Sequence, residues 1–161
     1  MGQARFTFLG TGSSGGVPRV GNDWGDCDPS EPRNRRRRCC ALLDVGPLDA
    51  PDTCTRILID SSPELREQLL DVGLQHLDAL VYTHDHADQS HGIDDVRALA
   101  LRMRRRVPTY MDARTASTLT ERFSYCFKGH GGYPPNLDRQ AATVPREPFT
   151  THANGGPGTL P

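Results

Sequence analysis

The sequence predicts an α/β layered fold, and three observations carry that prediction. Short apolar runs of strand character alternate with segments of helical period, a block of strands leads the chain, and a histidine-rich loop immediately follows a hydrophobic strand. The 161 residues suit one domain. With 35% hydrophobic and 24% charged residues, that domain sits at the polar end of globular chains. No apolar run approaches the roughly 20 residues of a membrane span. The start, MGQARFTFLG, lacks the charged-then-apolar layout of a signal peptide.

The elements follow in order. Residues 5–9 alternate like a half-buried strand. A long stretch of glycine, proline and polar residues comes next and reads as a loop running to the arginines at 33–38. Residues 39–45 and 55–60 are two strands joined by a turn-rich segment. A helix follows, with Ser61 and Glu64 at capping-box spacing, Leu65, Leu69 and Val72 on one face, and Gly73 as its stop. Residues 78–83 form a strand apolar enough to be buried on both sides. A helix over 92–104 turns Ile93, Val96, Leu99, Ala100 and Met103 inward, before a strand at 107–111 and a helix near 115–123. From Gly129 the chain holds six glycines and six prolines, with room for one short strand around 147–151. One domain is expected over 1–161, regular over about 4–127 and largely irregular over 129–161.

Charge and cysteine content narrow the function classes. The net charge of −1 gives the whole molecule no pull toward nucleic acid or anionic membrane. Lys128 is the only lysine among 19 basic residues, and the arginines cluster at 33–38 and 102–106. The first cluster suits phosphate or a carboxylate-paired loop, and the second, at a helix end, reads as structural. Five cysteines without a CxxC pair argue against a disulfide framework and a four-sulfur zinc site, and for a reducing cytoplasm.

The chemistry lies in THDHADQSHGIDD, residues 83–95. His84 and His86 are two apart, so extended backbone points both imidazoles to one side, where they can grip one cation. Asp88 opens the next helix and can reach a neighbouring cation. Imidazoles with a carboxylate suit zinc, manganese or iron. Gly10, Gly12 and Gly15 form a GxGxxG, but Val17-Pro18 follows and no helix begins there, so a dinucleotide site is not expected.

THDHAD resembles the HxHxD signature of the metallo-β-lactamase fold, an αββα layered sandwich. The opening FLGTGSSGGVP, the run NRRRRCCALLD, ILIDSSPELREQLL and HGIDDVRAL are similar to its phosphoribosyl 1,2-cyclic phosphate phosphodiesterase-like group, which is related to ribonuclease Z. The resemblance covers residues 4–127. It implies a metal-dependent hydrolase of phosphodiesters, acting on a small cyclic phosphate through metal-activated hydroxide. His84 and His86 are then ligands of a first Zn or Mn, Asp88 is a ligand of a second metal and a catalytic carboxylate, and Asp60 is a buttress of the histidine loop. RNA is the less favoured partner, because no aromatic residues interleave with the arginines.

Two departures shape the expectation. Gln89 stands where the signature continues with a histidine, which predicts a weakened second site, with His91 as a possible substitute ligand. The later family ligands have no matching motif, and His130 and His152 are expected in solvated loop. The chain therefore reads as the N-terminal part of a larger sandwich. The alternatives are a truncated metal-binding remnant and a ribonuclease Z-like nuclease. An uncovered sheet face would favour self-association.

Overall fold

The computed structural model describes residues 3–140, 150–153 and 156–159. Strand β1 (Gln3–Gly10) pairs antiparallel with β2 (Cys40–Gly46), and β2 pairs antiparallel with β3 (Thr55–Ile59). The helix α1 (Leu65–Asp71) then leads into β4 (Ala79–Val81), which lies parallel to β3. Helices α2 (Ala87–Ser90) and α3 (Val96–Met103) precede β5 (Val107–Tyr110). Helices α4 (Ala113–Arg122) and α5 (Ser124–Lys128) precede β6 (Leu137–Arg139). The six strands form one sheet in sequence order, parallel from β3 to β6. A separate hairpin pairs β7 (Thr150–Ala153) with β8 (Gly156–Thr159). The α/β expectation holds, and no described helix is long and apolar enough to cross a membrane.

Strand alternation sets the core. Cys40, Leu42, Leu58, Leu80 and Val107 meet Leu65, Leu69, Ile93, Val96, Leu99 and Leu119 in one hydrophobic cluster. The stripe expected for α3 is the observed one, with Ile93 in a 3-10 turn ahead of the helix. The register also places Phe6, Leu43, Ile57 and Ala79 side by side across β1 to β4, so the second sheet face is apolar too. At its edge Phe6 is 50% and Phe8 69% exposed.

Three local expectations are corrected. Ser61 does not cap α1; Ser62, one residue later, bonds to the Glu64 amide, while the Glu64 carboxylate turns to Arg38. Val72 is exposed, and Gln68 takes the buried position on that helix face. The glycine- and proline-rich segment holds strand β6, whose Leu137 is buried, and His152 lies on a strand, with its side chain outside the described residues. The strand expected at 147–151 falls partly on undescribed residues and overlaps β7. Of the cysteine pair, Cys40 is core and Cys39 exposed, as alternation requires.

The glycine motif after β1 has a packing cause. A methyl group on Gly10 would sit 2.0 Å from the Arg38 carbonyl oxygen, so only glycine allows that backbone approach. Gly12 and Val17 pair with Arg38 and Arg36, and no helix begins within the motif. The loop is thereby sewn to the arginine run, which is itself largely paired. Arg33 bonds Glu31, Arg37 bonds Asp71, Arg38 bonds Glu64, and Arg35 lies 5.5 Å from the Trp24 ring centre.

Candidate metal centre

Parallel strands β3 and β4 end side by side, and their carboxyl ends are where α/β sheets present ligand-binding loops. Asp60 follows β3 in the left-handed region, at φ 63°, and is 3% exposed. That turn aims its carboxylate across at the residue following β4 and Tyr82. The Thr83 amide donates to Asp60 Oδ1 at 2.8 Å, and the Thr83 hydroxyl donates to Oδ2 at 2.7 Å. Thr83 Oγ1 also lies 2.9 Å from His84 Nδ1.

This chain selects a tautomer. The threonine hydroxyl has one proton, and it goes to Asp60, so toward His84 the oxygen accepts. His84 Nδ1 then carries its hydrogen, and Nε2 keeps its lone pair for a cation. The expected buttress is present, but it works through Thr83, whose role the sequence reading missed. Burial pushes the Asp60 carboxyl above its ordinary 3.8. The Thr83 bonds and His84 pull it back without cancelling that rise.

His84 and His86 stand edge to face with ring centres 4.6 Å apart, half-buried and exposed respectively. His86 is extended and precedes the first turn of α2, where Ser90 Oγ donates to its carbonyl at 2.7 Å. Segment 61–62 clamps α2 from below. Ser61 donates its amide to Gln89 O at 2.6 Å and accepts from the Gly92 amide at 2.9 Å. A methyl on Gly92 would meet Ser62 O at 2.0 Å, so the close approach demands glycine. The buried Tyr82 hydroxyl lies 2.7 Å from Ser61 Oγ and braces the same corner.

The remaining acids divide. Asp85 turns away: its carbonyl accepts from Arg122 at 3.0 Å, and bonding to Thr118 on α4 lowers its carboxyl. Asp88 stays at the site, half-buried, and accepts from Gln89 Nε2 at 3.0 Å. Gln89 Oε1 is buried beside it and has no hydrogen-bond partner among the described residues. His91 is exposed and packs its ring edge to face on Phe123, at 5.4 Å between centres. Cys39, exposed just ahead of β2, lies near enough to be influenced by the site. What burial it has, then the charges of Asp60 and Asp88, push its thiol above 9.0.

Among the described residues no three His, Cys, Asp or Glu side chains already close on one point. The donor chemistry nonetheless fits a divalent cation. Two imidazoles offer nitrogen, a carboxylate stands nearby, and an orphaned amide oxygen lies beside that carboxylate.

The comparisons agree with this architecture. A crystal structure of a diphosphatase from the PhnP family superposes with a TM-score of 0.71 and is 33% identical, covering 95% of this chain and 57% of that one. Zn(2+)-bound PqqB from Methylobacterium extorquens gives a TM-score of 0.60 at 18% identity, over 92% of this chain and 48% of that one, a likeness of fold alone. A Porphyromonas gingivalis protein named octanoyltransferase is 34% identical over 155 residues, which are 90% of this chain and 30% of that protein. The chain thus spans between 30% and 57% of the lengths of these relatives. The description "Beta-lactamase superfamily domain" matches residues 55–157, from the first residue of β3 through the histidine loop and beyond. The chain belongs to the beta-lactamase superfamily.

Proposed function

We propose that the chain is a metal-dependent hydrolase of phosphodiesters, with a small cyclic phosphate as substrate. The observation that carries the reading is the Asp60–Thr83–His84 chain, which leaves His84 Nε2 as a free donor beside the His86 ring. His84 and His86 would hold a first Zn or Mn, and Asp88 would serve a second position as ligand and catalytic carboxylate. Bound there, a divalent cation supplies a Lewis acid and activates water near neutral pH. Thr83 and Asp60 fix the His84 ring and its tautomer. Gln89 fixes the Asp88 carboxylate through its amide hydrogen and offers its oxygen as a weak donor.

The similar structure is named a diphosphatase, which supports hydrolysis at phosphorus. A polynucleotide substrate is less favoured, because Arg33, Arg37 and Arg38 are already engaged with carboxylates. The octanoyltransferase name belongs to a protein of which this chain matches 30%, and acyl transfer is not proposed. Five free cysteines support a reducing cytoplasmic setting.

A second reading rests on the same donor count. With no three-ligand group closed among the described residues, the chain would be a metal-binding module completed by residues outside them. One experiment separates the two. The chain is loaded with zinc or manganese, metal per chain is measured, and bis(p-nitrophenyl) phosphate is offered. Turnover that falls about a thousandfold in the His84→Ala/His86→Ala double variant establishes the hydrolase. Metal without turnover leaves the module, and neither metal nor turnover overturns both.

A further inference from the structure

A second cleft lies at the opposite ends of the strands from the histidine loop. Asp78, Arg106 and Asn136 each immediately precede a parallel strand, β4, β5 and β6 in turn. At this amino-terminal edge, α3 and the segment leading into β6 enclose a hollow of about 350 Å³. Helix α3 is ended by Arg104, which takes the left-handed conformation at φ 55° and turns three successive arginines over its rim.

The four guanidinium groups at this cleft are not equivalent. Arg105 is held by the buried Asp78 at 2.7 Å, and Arg97 reaches Asp94 at 3.4 Å. Arg104 and Arg106 are exposed, and among the described residues neither guanidinium has a hydrogen-bond or ion-pair partner. Among the described residues no carboxylate lines this hollow, and Asp94, which lines the adjoining one beside Tyr133, is paired with Arg97. Tyr133, 69% exposed, lines the same hollow together with Pro134, Pro135 and Ala100. Asn136, 6% exposed, has its amide nitrogen beside the Cys126 thiol and, among the described residues, no oxygen to accept from it.

Cations at a helix C-terminus need no ligand, since the helix dipole favours them. The dipole does not account for a ligand-sized, largely apolar hollow that those cations share with an exposed aromatic ring and two prolines. We propose that this cleft binds a nucleotide-sized anion, a phosphate monoester of a sugar that also carries a flat base. Arg104 and Arg106 would take the phosphate, which guanidinium forks match in charge and geometry. Tyr133 would stack on the ring, a contact open to any base because each has a π face. An inorganic anion would leave Tyr133 and the prolines unused, and an apolar ligand would leave two desolvated guanidiniums unpaired.

The test uses the full chain freed of metal with chelator, so that the candidate hydrolytic site contributes nothing to the signal. Calorimetric titration with adenosine monophosphate should show saturable binding with a Kd below about 1 mM. Arg104→Gln/Arg106→Gln should weaken it at least tenfold, roughly the loss expected for charged hydrogen bonds. Tyr133→Ser should weaken it about fivefold or more, and His84→Ala should leave it unchanged. Adenosine and inorganic phosphate alone should each bind more weakly than the monophosphate. The proposal is overturned if adenosine monophosphate does not bind, if the double arginine variant binds it equally well, or if phosphate alone binds as tightly.

Discussion

Asp60 and Asp78 are both carboxylates buried at strand ends, and the molecule uses them in opposite ways. Asp78 lies before β4 and faces a guanidinium, an imidazole and an amide: Arg105 at 2.7 Å, His76 at 3.7 Å and the Arg56 amide at 2.9 Å. Its charge is consumed in tying the amino ends of the sheet to the chain leaving α3. Asp60 lies after β3 and faces neutral donors, the amide and hydroxyl of Thr83. Its charge is not cancelled by a guanidinium, so it acts onward through Thr83 on His84. A buried acid met by cations holds a fold together. One met by neutral donors leaves its field available to a histidine, and through it to a cation.

The comparison predicts opposite losses. Asp78→Ala removes a buried anion and leaves the half-buried Arg105 and the Arg56 amide without it. Unfolding in urea should show a loss of about 2–3 kcal/mol. Asp60→Asn keeps the shape but changes what Thr83 meets. Metal affinity, read by competition with a coloured chelator, should fall about 10–100-fold while much of the stability remains. If Asp78→Ala proved the milder change in stability and Asp60→Asn left metal affinity intact, the division of labour would be wrong.

The proposal of self-association concerns the bare face at β1. Phe8→Ser removes the more exposed of its two rings and should shift sedimentation toward monomer, whereas an unchanged monomer in both proteins would discard it.

Glu64 offers the gentlest test, because it is an acid met by a cation near the surface. Partial burial raises its carboxyl, but the Arg38 bonds outweigh that and hold it below the ordinary 4.5. Its contribution is therefore present above 4.5 and is lost as pH falls through the lower folded value. The stability gap between wild type and Glu64→Gln should be about 1 kcal/mol at neutral pH and should close in acid. A gap constant from pH 7 down to pH 3 would mean that the pair does not titrate as described.

Much of this was legible along the chain. Leu42, Leu58, Leu80 and Val107 declare strands by alternation or apolar run, and Ile93, Val96 and Leu99 declare a helix face by period. The histidine loop was legible because its donors are close in sequence. Thr83 was not, since a threonine at a strand end looks like any other until the turn at Asp60 brings a carboxylate to it. Strand β6 was missed because Leu137 is its one buried residue and prolines precede it, so only pairing with β5 makes it a strand. Ser61 was misread as a cap because local spacing cannot see Tyr82, 21 residues away and 2.7 Å distant.

The sequence by itself determined the α/β alternation, the inward stripe of α3 and the location of the imidazole pair, all properties of neighbours within one or two turns of chain. Tertiary structure alone decided which acids serve which arginines, why Gly10 and Gly92 must be glycine, and how Asp60 reaches His84. The Gly10, Gly92 and Asp60 approaches, and the pairs Arg37–Asp71, Arg38–Glu64 and Arg105–Asp78, join residues more than 20 positions apart, where a few tenths of an ångström separate a hydrogen bond from a clash. Periodicity carries no information at that distance.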